Sequence, residues 1–155
     1  VVRLRAADPE LRGERDGVLY VDDYGHHPEE VRLTLAAVRE AWPDRRLVVA
    51  FQPHRYTRTR DLLEEFGGAF ADADRLLLSD VYPAGEEAIP GAEGEDLYQA
   101  VVRHGHPQAR YVGPLSGVAE ALAEIARPGD VVLTLGAGDI GALARELCPR
   151  EEAAR

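Results

Sequence analysis

The sequence predicts an α/β domain of three layers, a mostly parallel sheet with helices on both faces. Two observations carry that expectation. From Val18 onward, short β-rich runs alternate with stretches whose apolar residues recur at helical spacing, the rhythm of βα units winding a parallel sheet. The 155 residues, 45% of them hydrophobic, fit one compact domain with a buried core.

The elements follow in chain order. Val1 to Gly17 has no clear period and carries five charged residues between Glu10 and Asp16. Residues 1–16 are therefore expected to trail from a preceding unit, with the domain spanning 17–149, although the chain around Arg3 to Leu11 is where a sixth strand is expected to pair. Strands are expected near 18–23, 47–52, 75–81, 110–113 and 131–136. Between them, helical stripes run through Val31, Leu35, Val38 and Trp42, then Leu62, Phe66 and Phe70, then Val118, Leu122 and Ile125, then Ile140, Leu143 and Leu147. A further helix around Asp96 to Arg103 buries Leu97 and Val101. Pro83 to Gly94, with two prolines and three glycines, reads as a long loop, and loops of that length are often functional. The tail from Arg150 to Arg155 is short, charged and expected to be solvated.

Composition excludes several functions. No apolar run approaches the ~20 residues of a membrane-spanning helix, and the first residues lack a signal-peptide core, so a cytoplasmic domain with no membrane partner is expected. A lone Cys148 rules out an internal disulfide or a cysteine-ligated zinc cage. A net charge of −10 has the wrong sign for nucleic acid; any anionic ligand must find a local cationic patch. All 18 basic residues are arginine, and without lysine the chain has no G-x-x-x-x-G-K-[ST] phosphate loop. The absence of methionine leads us to expect a piece of a longer protein.

In parallel sheets ligands sit outside the carboxyl ends of the strands, and the polar clusters of this chain fall there. The first strand ends in Asp22-Asp23-Tyr24-Gly25-His26-His27-Pro28, with Pro28 suited to the first helical position and Glu29 and Glu30 to the positive end of the helix dipole. The paired histidines can cap that helix; side chains of adjacent residues diverge, which argues against one shared metal. The second strand ends in Phe51-Gln52-Pro53-His54-Arg55-Tyr56-Thr57-Arg58-Thr59-Arg60. Three guanidinium groups and an imidazole at a strand end make an anion site, whereas the same run on an outer helix face would only be solvated. Asp80 to Glu87 opens the long loop and is assigned no chemistry. Gly136-Ala137-Gly138-Asp139-Ile140-Gly141 is a literal G-x-G-x-x-G, but a dinucleotide fold needs a further strand with an acid ~20 residues on, for which little chain remains. The alternative is a tight strand-to-helix turn.

Together, Asp22 to Pro28, Phe51 to Arg60, Asp80 to Glu87 and Leu135 to Gly141 resemble the C-terminal domain of the Mur ligases, a Rossmann-like α/β domain. The strings DDYGHHP and FQPHRYTRTR, in that order, carry most of the specificity, and the likeness runs from about Gly17 to Pro149. It implies a three-domain, ATP-dependent ligase of peptidoglycan precursor synthesis: an N-terminal domain holds the UDP-sugar, a central domain binds ATP through a P-loop, and the C-terminal domain closes over both. Within the family it points to the member that joins L-alanine to UDP-N-acetylmuramate through an acyl phosphate. Val1 to Asp16 would end the central domain, and ATP and Mg2+ would serve the full-length enzyme without binding tightly to this piece.

By the same resemblance, His54 and Tyr24 orient the alanine, Arg55 and Arg58 meet its carboxylate or the acyl phosphate, and His26 lies beside them. Asp23 accepts hydrogen bonds from the ATP ribose. His54, Arg55 and Arg58 are the catalytic candidates, Arg60 is left between the site and bracing a helix, and no metal ligand is assigned. The isolated chain is expected to be inactive, because catalysis then depends on groups from three domains. A second reading is a free-standing nucleotide- or dinucleotide-binding domain using Gly136 to Gly141.

Overall fold

The computed structural model describes residues 9–149. Its elements are β1 (Glu10–Arg15), β2 (Val18–Asp23), α1 (Pro28–Ala41), β3 (Leu47–Phe51), α2 (Tyr56–Asp61), α3 (Leu63–Gly67), β4 (Arg75–Ser79), α4 (Gly94–Arg103), β5 (Ala109–Gly113), α5 (Leu115–Ile125), β6 (Val131–Leu135) and α6 (Ile140–Leu147). The strands form one sheet in the order β1-β2-β6-β3-β4-β5. All neighbours are parallel except β1, which pairs antiparallel with β2.

Side-chain alternation along the buried strands divides the core in two. Leu47, Val49 and Phe51 of β3 and Val131, Leu133 and Leu135 of β6 pack with Val31 and Leu35 of α1, Phe66 of α3 and Leu97 of α4. Val48, Ala50 and Val132 face the other way, onto Val118 and Leu122 of α5 and Ile140 and Leu143 of α6. Strands covered on both faces read as unbroken apolar runs, which is why they were legible. The expected three-layer α/β architecture is the one observed.

Local details differ. A sixth strand is present at Glu10–Arg15, overlapping the end of the expected Arg3 to Leu11 range; residues 1–8, like the 150–155 tail, lie outside the described residues. Asp16 and Gly17 both take positive φ, 52° and 80°, closing a tight hairpin of the kind an Asp-Gly pair favours. Residues 10–15, expected to trail from a preceding unit, thus form the outermost strand of this sheet. Their pattern is hard to read because most of them are exposed. The stripe Leu62, Phe66 and Phe70 is not one helix: Leu62 lies at the junction of α2 and α3, Phe66 in α3 and Phe70 in the turn that follows. β4 stops at Ser79; Tyr82 then makes an isolated bridge to His54.

Candidate active site

Parallel register brings the carboxyl ends of four strands together: Asp23 and Phe51 both pair with Leu135, and Phe51 also pairs with Leu78. The loops that leave these ends are the ones the sequence marked, so sheet topology assembles the site from segments far apart in the chain.

Gln52 anchors the centre. It is buried at 4% exposure; its Nε2 donates to Asp139 Oδ1 at 2.6 Å and its Oε1 accepts from the Ile140 N–H at 3.1 Å. The exit of β3 is thereby tied to the entry of α6. A Cβ on Gly136 would lie 2.9 Å from the Gln52 carbonyl oxygen, and one on Gly138 would lie 2.6 Å from both Gln52 Oε1 and Tyr82 Cγ. The space beside these glycines is filled by the protein's own Gln52 and Tyr82. The G-x-G turn is therefore built for close packing, and no described strand follows α6.

The second strand end is held against Tyr82. The Arg55 N–H donates to the Tyr82 carbonyl and the Tyr82 N–H to the Pro53 carbonyl, both at 2.8 Å. The Tyr82 ring stacks on His54 with centroids 5.4 Å apart and planes 14° from parallel. His26 meets His54 at a 5.9 Å centroid distance, tilted 52°. Arg58 Nη1 donates to the His54 carbonyl at 3.0 Å and lies 3.1 Å from His54 Nδ1. A guanidinium can only donate, so Nδ1 is the acceptor and neutral His54 carries its proton on Nε2. Burial, followed by the nearby Arg58, His26 and Arg55, lowers the His54 pKa from its ordinary value, which keeps the ring neutral near pH 7.

Arg55 has φ 73° and ψ 136°, a backbone region that costs a non-glycine residue about 1–3 kcal/mol. Its carbonyl accepts from the Thr59 N–H at 3.2 Å and Thr59 Oγ1 at 2.9 Å, and its side chain is exposed. Several arginines elsewhere are paired with acids: Arg39 with Asp74, Arg46 with Asp130, Arg103 with Glu64. Arg60 pairs with Asp61 on the surface. Arg55 and Arg58 are among several described arginines that make no ion pair, and both act on the His54 ring at the carboxyl edge of the sheet, where they can attract an external anion.

The β2 end divides its two acids between opposite faces of the sheet. Asp23 Oδ2 accepts from the Gly25 N–H at 2.8 Å and from Thr34 Oγ1 of α1 at 3.0 Å. It borders a groove of about 330 Å³ with Tyr24, Gly25, Leu33 and Ala37. Asp22 points the other way, accepts from Thr134 Oγ1 at 2.8 Å, and has its pKa raised by burial. The adjacent histidines diverge as expected: His27 caps α1 through the Glu29 N–H, while His26 faces His54.

Of the expected site residues, the structure brings His26, His54, Arg55 and Arg58 together. Tyr24, 70% exposed, lies with Asp23 along the groove. Gln52, Thr57, Tyr82 and Glu86 are given no role by the sequence reading; the available signal is that all four lie in the strand-end segments Phe51 to Arg60 and Asp80 to Glu87. No group of three or more potential metal-ligating side chains occurs among the described residues.

A family model described as Mur ligase, glutamate ligase domain, matches residues 9–138. The chain belongs to the Mur ligase family. This Mur ligase domain is 55% identical over 143 residues to a UDP-N-acetylmuramate–L-alanine ligase of Sorangium cellulosum, covering 91% of the chain and 30% of that relative. It is 59% identical over 137 residues to the enzyme of the same name from an Anaeromyxobacter species, covering 88% of the chain and 30% of the relative. The domain thus spans about a third of the length of the curated relatives it matches. Among solved structures it resembles the UDP-N-acetylmuramate-alanine ligase of Thermotoga maritima, with a TM-score of 0.66 and 27% identity over 84% of this chain and 26% of that one. A murein peptide ligase from Psychrobacter arcticus shares the fold at a TM-score of 0.69 and 19% identity, over 94% of this chain and 30% of that one.

Proposed function

We propose that this is the C-terminal domain of a cytoplasmic UDP-N-acetylmuramate:L-alanine ligase, contributing the amino-acid and ATP-ribose contacts when the domains close. The observation that carries the reading is the placement of two guanidinium groups, Arg55 and Arg58, beside a neutral imidazole at the carboxyl edge of the sheet. In the reaction, the lactyl carboxylate of UDP-N-acetylmuramate takes the γ-phosphoryl group of ATP, giving an acyl phosphate and releasing ADP. The alanine amine then attacks the acyl carbon, loses its proton, and inorganic phosphate leaves as the amide forms.

Charge is high on both partners, so the domain must offer fixed cations in a closed site that excludes water. Arg55 and Arg58 meet the alanine carboxylate or the acyl phosphate. His54 and Tyr24 orient the amino acid, and His26 packs beside His54. The contact with ATP is assigned to its ribose end, a reading supported by the Asp23 carboxylate, which borders a groove with the apolar side chains of Leu33 and Ala37. Lysine is absent from the sequence, so the phosphate loop belongs to the central domain. Mg2+, when bound, would supply charge neutralisation at the transferring phosphoryl group; no described residue of this chain is assigned as its ligand.

Two measurements test this. The purified chain is expected to fold without alanine-dependent ATP turnover; clear turnover refutes the division of labour. In the full-length enzyme, His54→Ala is expected to impair alanine use and Arg55→Ala to slow amide formation; wild-type kinetics in both refute the site.

A further inference from the structure

Helix α2 carries Arg58 and starts at the strained Arg55, yet its own sequence provides no N-terminal cap. Arg55 occupies the capping position without a side-chain hydrogen bond, and the first turn has no acid. Helix starts leave N–H groups that need acceptors, and Ser, Asp or Asn at this position normally supplies one. Here that position is given to an exposed arginine.

The missing acceptor comes from the β4–α4 loop. Pro83-Ala84-Gly85-Glu86 forms a turn closed by the Glu86 N–H on the Pro83 carbonyl at 3.1 Å, with φ 52° at Ala84 and 85° at Gly85. Two successive positive φ values define the I′ geometry, which is unfavourable for alanine. The turn carries Glu86 back over α2, where Oε1 accepts the Thr57 N–H at 3.1 Å and Oε2 accepts the Thr57 hydroxyl at 2.6 Å. Four residues earlier on the same loop, Tyr82 makes the His54 stack and both backbone bonds to the β3 exit.

Building on the function proposed above, we propose that Glu86 is a positioning residue: it caps α2 from the loop and so fixes Arg55 and Arg58 against the Tyr82–His54 stack. The hydrogen bonds from Thr57 hold the Glu86 carboxyl below its ordinary pKa, so the cap is ionised at neutral pH. A carboxylate from a separate loop leaves the capping position itself free for a substrate-facing guanidinium. It also makes the geometry of both arginines depend on the loop.

The test uses the full-length enzyme, with Glu86→Ala, Glu86→Gln, Thr57→Val and the Glu86→Ala/Thr57→Val pair measured beside Arg55→Ala. Misplacing a binding group by a fraction of an ångström costs affinity steeply, so Glu86→Ala is expected to raise the amino-acid KM about tenfold, with the ATP KM within about twofold. Glu86→Gln keeps one acceptor oxygen and is expected to recover part of the loss. The double variant is expected to be no worse than Glu86→Ala, since both changes remove one contact. The proposal is overturned by an unchanged amino-acid KM in Glu86→Ala while Arg55→Ala is impaired, which leaves the site reading intact. An equal loss for all substrates, tracking a lower melting temperature, also overturns it by showing a purely structural role. If Glu86→Ala does not fold, the same criteria apply to Glu86→Gln. A silent Arg55→Ala overturns the site reading and this proposal with it.

Discussion

Gly138→Ala separates a glycine turn made for packing from one made for a nucleotide. The added Cβ would sit 2.6 Å from Tyr82 Cγ, 2.8 Å from Tyr82 Cβ and 2.6 Å from Gln52 Oε1. Ordinary carbon contacts lie near 3.5 Å, so the base of the Tyr82 side chain must retreat by roughly 0.9 Å. It has little freedom to do so, because its backbone is pinned to Pro53 and Arg55 and its ring lies on His54. Overpacking of this kind costs about 1–3 kcal/mol. For a chain of 155 residues, about 2 kcal/mol lowers the melting temperature by roughly 4–8 °C. The assay is thermal unfolding of the purified chain followed by circular dichroism, with Gly141→Ala as the control. A Cβ at Gly141 meets only Arg145 Nη1 at 3.7 Å and Asp22 Oδ2 at 4.0 Å, and alanine suits a helix better than glycine by roughly 0.5–1 kcal/mol, so the control is expected to melt no lower than wild type. Equal melting of Gly138→Ala and wild type, or equal losses in the two variants, refutes the packing argument.

Other consequences are open to measurement. Arg46 meets Asp130 through two hydrogen bonds, at 3.0 and 2.7 Å, and Asp130 is buried at 4% exposure; Asp130→Ala is expected to lower stability by about 3–5 kcal/mol in urea unfolding, and a change under 1 kcal/mol would contradict it. Burial pushes the Asp74 carboxyl up, but Arg39 and the Leu47 N–H outweigh it and lower the pKa. A depressed carboxyl stabilises the fold above its unfolded value, near 3.9, and that contribution disappears as pH falls through the lower folded value. Asp74→Asn should therefore flatten the dependence of the urea midpoint on pH below about 4, and an unaltered slope would count against the pairing. NMR titration of His54 should give a midpoint below that of an ordinary imidazole, with the neutral proton on Nε2, and Arg58→Ala should raise it; a wild-type midpoint at or above the ordinary value would remove the basis for a neutral ring.

Burial on both faces left strands β2, β3, β4 and β6 as near-continuous apolar runs, and stripes such as Val31, Leu35 and Val38 marked their covering helices. Composition and period alone therefore gave the layered α/β class. Short-range chemistry also marked Asp22 to Pro28 and Phe51 to Arg60 as strand-end clusters. The extent of β1 to Arg15 is not legible because an edge strand with mostly exposed side chains has no apolar alternation, and only its Asp16-Gly17 turn carries a signal.

Tertiary structure decided the rest. Sequence cannot show that β6 inserts between β2 and β3, and that insertion is what places Gly138 against Gln52 and Tyr82. Nor can it show which arginines are neutralised: Arg58 and Arg60 are two residues apart, yet one reaches His54 and the other Asp61. The same holds for Glu86, which caps a helix beginning 30 residues earlier in the chain. Local sequence dictates what a segment prefers to be, because propensity and period act over a few residues. Which side chains share a site depends on the strand order and on ordering a long intervening chain, and both are settled only when the whole core is buried at once.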